Sequence, residues 1–315
     1  MIVAIIVLTW NQRALTTDCL RSLAELNHPS DQLRVIVVDN GSTDDSVPRI
    51  RAAYPDMELI ETGENLGYAG GNNVGIRHAL AAGADAVCIL NNDVVVEPDF
   101  LAPLLAALHS HPDVGVATPL VAEHSAAGDH VWALGSAVDW RTAAVTRQHV
   151  GSAVDPWRAY APFEVEIASG AAMLIKTEVF QRVGLLDESF FLYYEETDWC
   201  LEVQKAGYRI LAVPSSVVWH KASATLGASS PVIDYYMLRN HLRLIGRHWR
   251  GPRRLYLLLH TAARNLATVA AYTMKSHHGQ RTPHRNARLY ALRDALLGRW
   301  GKMGGDVQQT CRSNR

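Results

Sequence analysis

The sequence predicts an α/β protein with a mostly parallel sheet, helices on both of its faces and a basic helical C-terminal extension. Short apolar segments of strand length alternate with segments of helical periodicity through the first 120 residues. Polar clusters directly follow several of these apolar segments, which is typical of the carboxyl ends of parallel strands. Beyond residue 238 the chain carries 16 Lys and Arg against two acidic residues, whereas residues 1–238 carry 14 basic and 29 acidic ones.

This alternation sets the expected order of secondary-structure elements. Strands are expected at 3–8, 35–38, 57–60, 86–90, 114–118, 171–176 and 209–213. Helices are expected at 14–26, from Thr43 or Asp44 to 53, at 72–82 and 98–108, from Thr177, at 198–206, and from 231 onward. Residues 120–165 are less regular and are expected to form an excursion from the sheet.

Composition is that of an ordinary globular protein, with 48% hydrophobic and 19% charged residues among 315. The four cysteines form no CxxC pair, which favours a reducing compartment without disulfides or a zinc site. The apolar start, residues 1–8, lacks a basic leader and a small-residue cleavage site, so a buried strand is expected there instead of a signal peptide. Residues 255–274 include His260 and Arg264, which favours an amphipathic helix over a membrane span.

Four polar clusters are expected to share the carboxyl edge of the sheet, where they would line one site: 9–11, 39–44, 65–72 and 91–93. Asp93 stands between the apolar segments 86–90 and 94–96, where a bare charge is costly. It is therefore a candidate ligand for Mg²⁺ or Mn²⁺, with a capped turn as the alternative.

Asp39 is a candidate to accept hydrogen bonds from a base imide or a ribose hydroxyl, although Asp-Asn-Gly-Ser is also strong turn chemistry. The glycines at 67, 70 and 71 let a backbone approach a ligand, and the following helix start favours an anion. The motif is neither a Walker A loop nor G-x-G-x-x-G.

The second half of the chain adds an acidic cluster and a histidine. Acids at a helix start stabilise it through the macrodipole, which would explain Asp198. It explains Glu195 and Glu196 less well. Neighbouring carboxylates beside aromatic residues raise each other's pKa, which suits a general base. His220 ends a strand-like segment, where a neutral imidazole could bind a divalent metal or serve the structure alone.

Taken together, the segments resemble a family 2 glycosyltransferase that uses nucleotide sugars, and within it the bacterial rhamnosyltransferase-like branch. The segments that carry the resemblance are Val7–Asn11, Val37–Asp44, Asn65–Asn73, Leu90–Asp93, Ser169–Ala172, Glu195–Asp198, Trp219-His220 and Tyr235–Asn240. The resemblance implies a GT-A fold, a Rossmann-like domain over 1–230 with a nucleotide-binding half (1–120) and an acceptor-side half (121–230), and then a basic helical region over 231–315.

The resemblance also implies roles for individual residues. Those on the nucleotide-sugar side are Thr9, Asn11, Asp39, Asn65, Gly67, Gly70, Asn72, Asn92 and Asp93. Among them Asp39 would contact the uracil or thymine ring. Asp93 and His220 would hold the metal. Glu196 would be the general base, with Glu195 next in line, and Asp198 would support the helix start or the acceptor.

The implied reaction is an inverting, metal-assisted transfer. It would move a sugar from a UDP- or dTDP-sugar, such as dTDP-rhamnose, to a glycan or lipid-linked acceptor in cell-surface polysaccharide synthesis. Two departures stand out, because the metal motif reads Asn91-Asn92-Asp93 without its first carboxylate and the base motif reads Glu195–Asp198 with Glu for Asp. A non-catalytic nucleotide-sugar-binding protein with the same fold is the alternative. A nucleotidyltransferase would need a basic Gly-rich loop, which residues 9–13 do not supply.

The basic tail allows several partners. Arg239, Arg243, Arg247 and Arg250 recur at helical spacing beside apolar residues, and such helices bind anionic membrane surfaces. The alternatives are a helix that covers the protein's own acidic body and a homo-oligomer interface. Nucleic acid is not expected, because no motif for it is present. The expected location is the cytoplasm, with peripheral attachment to the inner face of the cell membrane as a further expectation.

Overall fold

The computed structural model describes residues 1–125, 128–221, 230–274 and 281–312. The chain forms two units. The first comprises Met1–Asp139, Ala144–Asp187 and Glu196–Ala222. The second comprises Trp140–Ala143, Glu188–Glu195 and Ser223–Arg315.

The first unit is an α/β structure. Its strands are β1 (Val3–Thr9), β2 (Leu33–Asp39), β3 (Glu58–Glu61), β4 (Ala86–Asn91), β5 (Val94–Val96), β6 (Val114–Ser125), β7 (Gly128–Ala133), β8 (Ser136–Asp139), β9 (Ala144–Arg147), β10 (Phe163–Glu164), β11 (Ala172–Lys176) and β12 (Arg209–His220). The helices within it or beginning at its boundary are α1 (Arg13–Ala24), α2 (Ser46–Ala53), α3 (Gly67–Ala81), α4 (Leu101–Ser110), α5 (Thr177–Val183) and α6 (Glu195–Lys205). The predicted alternation of strands and helices is confirmed.

Ten strands form one sheet, in the order β10-β12-β6-β11-β4-β1-β2-β3, with β5 paired to β12 and β7 to β6. The strands β4, β1, β2 and β3 are parallel, as the alternation predicts, because each is linked to the next by a segment that contains a helix. Beyond them β11 runs antiparallel to both β4 and β6, so the sheet as a whole is mixed. Its central strands are buried and form the core.

Helix α3 begins at Gly67, five residues before the start that the sequence predicts. Glycine lowers helix propensity, which is why the segment reads as a loop. A Cβ atom on Gly71 would collide with Leu8, and one on Gly75 would lie 2.6 Å from Cγ2 of Ile6. The glycines therefore let the helix lie close against β1, and packing overrides local propensity.

The second unit is helical in its C-terminal part, as predicted. Its helices are α7 (Pro231–His248), α8 (Gly251–Met274), α9 (Arg281–Leu296) and α10 (Gly305–Arg312). Ser230 caps α7 by accepting a hydrogen bond from the Val232 amide, and Pro231 occupies the first turn. Tyr235, Tyr236 and Leu242 pack with apolar residues of α9 and α10 in a separate core.

Arg239 corrects the expectation that α7 presents its arginines to an outside partner. Its side chain is only 1% exposed and lies over the rings of Tyr235 and Tyr236. Its guanidinium donates to the Tyr235 hydroxyl and to the carbonyl of Phe190. At this position the arginine is used inside the second unit and is not available to an outside partner.

Among the helices of the described ranges, none combines the length and the apolar character that crossing a bilayer requires. Cys19, Cys88 and Cys200 are buried free thiols, and Cys311 is a half-buried one.

Candidate active site

The carboxyl edge of the sheet brings Asp93 and His220 together. Asp93 lies in the tight turn between β4 and β5, and His220 is the last residue of β12, paired in register with Val94. Nε2 of the imidazole lies 3.3 Å from Oδ1 of the carboxylate, and each side chain is 9% exposed. A backbone hydrogen bond from Lys221 to the Asp93 carbonyl, 2.8 Å long, fixes the two segments to each other.

Two of the buried atoms in this pair have no hydrogen-bond partner among the described residues: Oδ1 of Asp93 and Nδ1 of His220. Buried polar atoms are nearly always satisfied, so such atoms call for an explanation. A carboxylate and an imidazole are suitable ligands for Mn²⁺ or Mg²⁺. The described residues hold no cluster of three or more His, Cys, Asp or Glu that could bind a metal, so the pair would need further ligands, such as phosphate oxygens.

Trp132 and Arg147, which the sequence analysis did not single out, extend this cluster. The Trp132 ring lies 4.6 Å from the His220 ring, and the Arg147 guanidinium lies 4.2 Å from the Trp132 ring centre. Trp132 comes from β7 and Arg147 from β9. The expected excursion over 120–165 is wrong for β7, which pairs with β6 in the main sheet. In the sequence the two residues stand out only as one aromatic and one cationic residue among mostly small residues.

Thr9 is placed at the end of β1, as predicted, but its hydroxyl is committed to the protein. Its Oγ1 lies 2.7 Å from Oγ1 of Thr16, and Nδ2 of Asn92 lies 2.9 Å from Thr16 and 3.4 Å from Thr9. All three side chains are buried. Asn92 therefore anchors the turn that carries Asp93 to the strand and helix beside it.

Asn11 ties two strand-end loops together. Its side-chain oxygen accepts a 2.7 Å hydrogen bond from the Thr43 amide, and its own amide donates to Ser42 Oγ over 2.9 Å. Its φ of 52° is left-handed, which asparagine tolerates better than most residues.

Asp39 is 3% exposed and uses one carboxylate oxygen, Oδ2, to accept from the Ser42 amide. Its other oxygen, Oδ1, is buried without a hydrogen-bond partner in the described part of the chain. Oδ2 thus serves the turn, as one interpretation predicts, and Oδ1 is left to accept a hydrogen bond from a ligand, as the other predicts.

Asn40, which sequence reasoning passed over, fixes the start of α3. Its side chain accepts from the Leu66 amide over 2.9 Å and donates to the Gly67 carbonyl over 3.0 Å. Asn65 caps the same turn by accepting from the Gly67 amide. Gly67 has a φ of 77°, and Gly70 is buried within the helix. The residues from Gly67 onward are thus helical, and their contact with the nucleotide sugar stays a prediction.

Tyr68 links α3 to the turn before β11. Its hydroxyl donates a 2.6 Å hydrogen bond to the Gly170 carbonyl, and its own carbonyl accepts from Nδ2 of Asn72. The next residue, Ala171, accepts from the amide of Asn91 at the end of β4. The turn at Gly170 therefore belongs to the same edge of the sheet as Asp93.

Glu196 lies at this turn. A Cβ atom built on Gly170 would lie 3.4 Å from Cγ of Glu196, so the absence of a side chain at 170 makes room for the glutamate. The side chain is half-buried, and removal of its carboxyl group from water raises the pKa of Glu196 above its ordinary value. Hydrogen bonds from Thr197 oppose that rise without cancelling it. A carboxylate with a raised pKa in reach of solvent is suited to accept a proton.

Helix α6 starts at Glu195, three residues before the predicted start at Asp198. Glu195 and Asp198 are 3% and 2% exposed, so neither carboxylate is as accessible as that of Glu196. The preceding segment has left-handed backbone at Phe191, Tyr193 and Tyr194, with φ of 65°, 68° and 73°. Such conformations in aromatic residues are uncommon and persist only when neighbours impose them.

Asn240 on α7 supplies such a neighbour. Its Nδ2 lies 2.9, 2.8 and 2.9 Å from the carbonyl oxygens of Phe190, Leu192 and Tyr193. Arg239 adds a 3.2 Å hydrogen bond to the Phe190 carbonyl. These contacts, all within the second unit, hold the backbone that leads into Glu195.

Comparison with known proteins gives a family match. Residues 2–231 match the family described as "Glycosyltransferase like family 2". The N-acetylglucosaminyl-diphospho-decaprenol L-rhamnosyltransferase of Mycobacterium tuberculosis is 28% identical over 278 residues, which cover 81% of this chain and 90% of that protein. The dTDP-rhamnosyl transferase RfbF of Shigella flexneri is 24% identical over 222 residues, covering 68% and 71% of the two chains.

Solved structures share the fold. The mannosyltransferase PcManGT from Pyrobaculum calidifontis, in complex with GDP-Man and Mn²⁺, superposes with a TM-score of 0.57 at 21% identity. The superposition covers 94% of this chain and 87% of that one. The predicted GT-A architecture, with its α/β sheet and flanking helices, is confirmed by this likeness.

Proposed function

The chain belongs to glycosyltransferase family 2, and we propose that it transfers a sugar from a nucleoside diphosphate sugar to an acceptor hydroxyl, with inversion at the anomeric carbon. The observation that carries the proposal is the pairing of Asp93 with His220 at the edge of the sheet, in a unit that also places Glu196 at that edge. A metal-binding carboxylate and a separate base are what such a transfer needs, with the sugar between them.

The donor side rests on Asp93, His220 and Asp39. Asp93 and His220 would hold Mg²⁺ or Mn²⁺, which when bound neutralises charge on the diphosphate. Two observations support this assignment: Oδ1 of Asp93 has no hydrogen-bond partner among the described residues, and the His220 imidazole lies 3.3 Å from it. Oδ1 of Asp39, which has no hydrogen-bond partner among the described residues, is suited to accept a hydrogen bond from a uracil or thymine imide.

The acceptor side rests on Glu196. As the acceptor oxygen attacks the anomeric carbon, its proton passes to the Glu196 carboxylate. The bond from the anomeric carbon to the diphosphate oxygen breaks, and the nucleoside diphosphate leaves with the electron pair. The raised pKa of Glu196 makes it a stronger base than an ordinary glutamate.

The proposed donor is dTDP-rhamnose or a UDP-sugar, and the proposed acceptor is a glycan or a lipid-linked saccharide. The names of the mycobacterial and Shigella relatives, which specify rhamnosyl transfer, a diphospho-decaprenol acceptor and a dTDP-sugar, support this choice. The product would then enter cell-surface polysaccharide synthesis at the cytoplasmic face of the membrane.

The test is a binding and transfer panel on the full chain. Calorimetry with UDP, dTDP and GDP, each with and without Mn²⁺ or Mg²⁺, should give metal-dependent binding of UDP or dTDP. Transfer is then measured from dTDP-rhamnose and UDP-sugars to a lipid-diphosphate N-acetylglucosamine analogue. Absence of binding to every nucleoside diphosphate in the presence of metal would contradict the proposal. Binding without transfer to any acceptor in a glycan and lipid pool would favour the non-catalytic alternative.

A further inference from the structure

Helix α8 exposes a continuous apolar stripe. Leu255, Tyr256 and Leu259 are 60%, 60% and 61% exposed, and Leu266 and Met274 continue the same face at 49% and 80%. Ala263 and Ala270, also exposed, fill the gaps between the larger side chains. These spacings follow the period of an α-helix, so the residues line one side of it.

The opposite side of the helix is accounted for. Leu257 and Thr261 are buried, and α8 packs against α9 and α7 within the second unit. The apolar stripe is therefore a second apolar face, beyond the one that the fold uses. A contiguous exposed apolar surface of this kind commonly marks a site that binds another protein or a membrane.

Basic residues border the stripe. Arg253, His260 and Arg264 recur at spacings of seven and four residues, which places them on the strip beside Tyr256 and Leu259. Helix α8 contains no Asp or Glu at all. In the described ranges neither Arg253 nor Arg264 has an acidic partner within ion-pair distance, so their charges are not neutralised by the protein itself.

We propose that this face of α8 lies in the interface of an anionic lipid bilayer, with the apolar stripe among the acyl chains and the arginines at the headgroups. An apolar face, a basic border and a long amphipathic helix are the features of helices that bind in the plane of a membrane. Each arginine near an anionic surface strengthens binding about fivefold.

A second copy of the chain fits the stripe less well. In a two-fold symmetric dimer both copies use the same patch, so the contact would contain the basic border of each copy. With no acidic residue on α8 to oppose them, such a contact brings like charges together.

The test uses the full chain, without nucleotide or metal, and flotation with vesicles of phosphatidylcholine alone or mixed equally with phosphatidylglycerol. Wild-type protein should float with the mixed vesicles and much less with the neutral ones. Leu259→Asp should weaken binding at least about tenfold, since it places a charge among the acyl chains. Leu297→Asp is the matched control, because Leu297 is 59% exposed but lies outside α8. The double variant Arg253→Gln with Arg264→Gln should bind the mixed vesicles about 25-fold more weakly.

Wild-type binding by Leu259→Asp, with its circular dichroism spectrum unchanged, would overturn the proposal. The proposal would also be overturned if the wild-type protein had the molar mass of a dimer and the Leu259→Asp variant that of a monomer. The stripe would then be a protein interface. Because no sugar, nucleotide or metal enters the assay, its failure would leave the proposed transferase activity untouched, and the reverse also holds.

Discussion

Asp93 and Glu196 are two carboxylates at the same edge of the first unit, yet their surroundings differ. Asp93 follows a parallel strand, faces the His220 imidazole and has an oxygen without a hydrogen-bond partner among the described residues. Glu196 lies in the first turn of a helix beside Gly170, and burial raises its pKa. No cation of the described residues lies within ion-pair distance of Glu196. The first environment is suited to hold a charge against a cation, and the second to take up a proton.

The role of each acidic residue is therefore set by its neighbours and not by its residue type. Asp93 has an imidazole nitrogen 3.3 Å away that can share a cation with it, whereas burial raises the pKa of Glu196 and so favours its protonated form. Changes near Asp93 should therefore alter metal binding, and changes at Glu196 should alter proton uptake.

The largest effect is expected from Asp93→Ala. We predict that transfer falls about 10³-fold or more while the fold remains intact, because the diphosphate loses the ligand that holds its counter-ion. Steady-state transfer and the metal dependence of nucleotide binding are the measurements. Asp99→Ala is the control, because Asp99 is exposed and bonds only to Asn27 among the described residues. Wild-type activity in the Asp93 variant would contradict its assignment.

Glu196→Gln should come next, with kcat reduced about 10²- to 10⁴-fold and nucleotide binding unchanged, because a general base is lost and the donor site is not. Calorimetry with dTDP and UDP separates the two effects. The matched variant Glu195→Gln should reduce kcat less. If Glu195→Gln is the more damaging of the two, with both proteins folded, the base is Glu195.

His220→Ala should weaken binding of Mn²⁺ in the presence of nucleotide by at least about tenfold, and high Mn²⁺ should restore part of the activity. His109→Ala, at an exposed position on α4, controls for loss of a histidine. A metal affinity equal to that of the wild type would restrict His220 to a structural role. Trp132→Leu should give a smaller loss of metal affinity, because it frees the imidazole ring without removing it.

The smallest effects concern pH. Activity needs the deprotonated base, so the rate should fall as the pH drops through the raised pKa of Glu196, at a higher pH than an ordinary glutamate would give.

The folded protein also binds this proton more tightly than the unfolded chain, so the residue costs stability above its folded pKa. Glu196→Gln should therefore melt a few degrees higher than the wild type at neutral pH, and the gap should close towards pH 4. A gap that is constant with pH would mean that the carboxyl group is not destabilised by burial.

Much of the site follows from the sequence because polar residues after parallel strands must meet at one edge. Asp39, Asn92 and Asp93 lie there, and His220 lies 3.3 Å from Asp93, while their joint metal binding stays a prediction. What the pattern does not give is which polar atoms are already used. Thr9 looks like a ligand residue, but its hydroxyl belongs to Thr16 and Asn92.

Tertiary packing accounts for the other differences. Gly67 and Gly70 read as loop residues and are helical, because close contact between α3 and β1 outweighs propensity. Arg239 reads as part of an exposed basic face and is buried, because aromatic rings and backbone carbonyls surround it. Trp132 lies 88 residues before His220 in the chain, and no local sequence signal predicts that the two rings meet.

Asn240 also bears on how the protein would lose activity on heating. One amide nitrogen, with only two hydrogens, serves three carbonyl groups of the segment before Glu195, so these contacts are shared and should break together. The segment holds three left-handed residues that would relax once released. A brief local opening at this point would disorder the approach to the acidic cluster while the sheet stays folded. Heat inactivation should then precede the loss of secondary structure, and the amides around residue 192 should exchange with deuterium before those of β1 and β4.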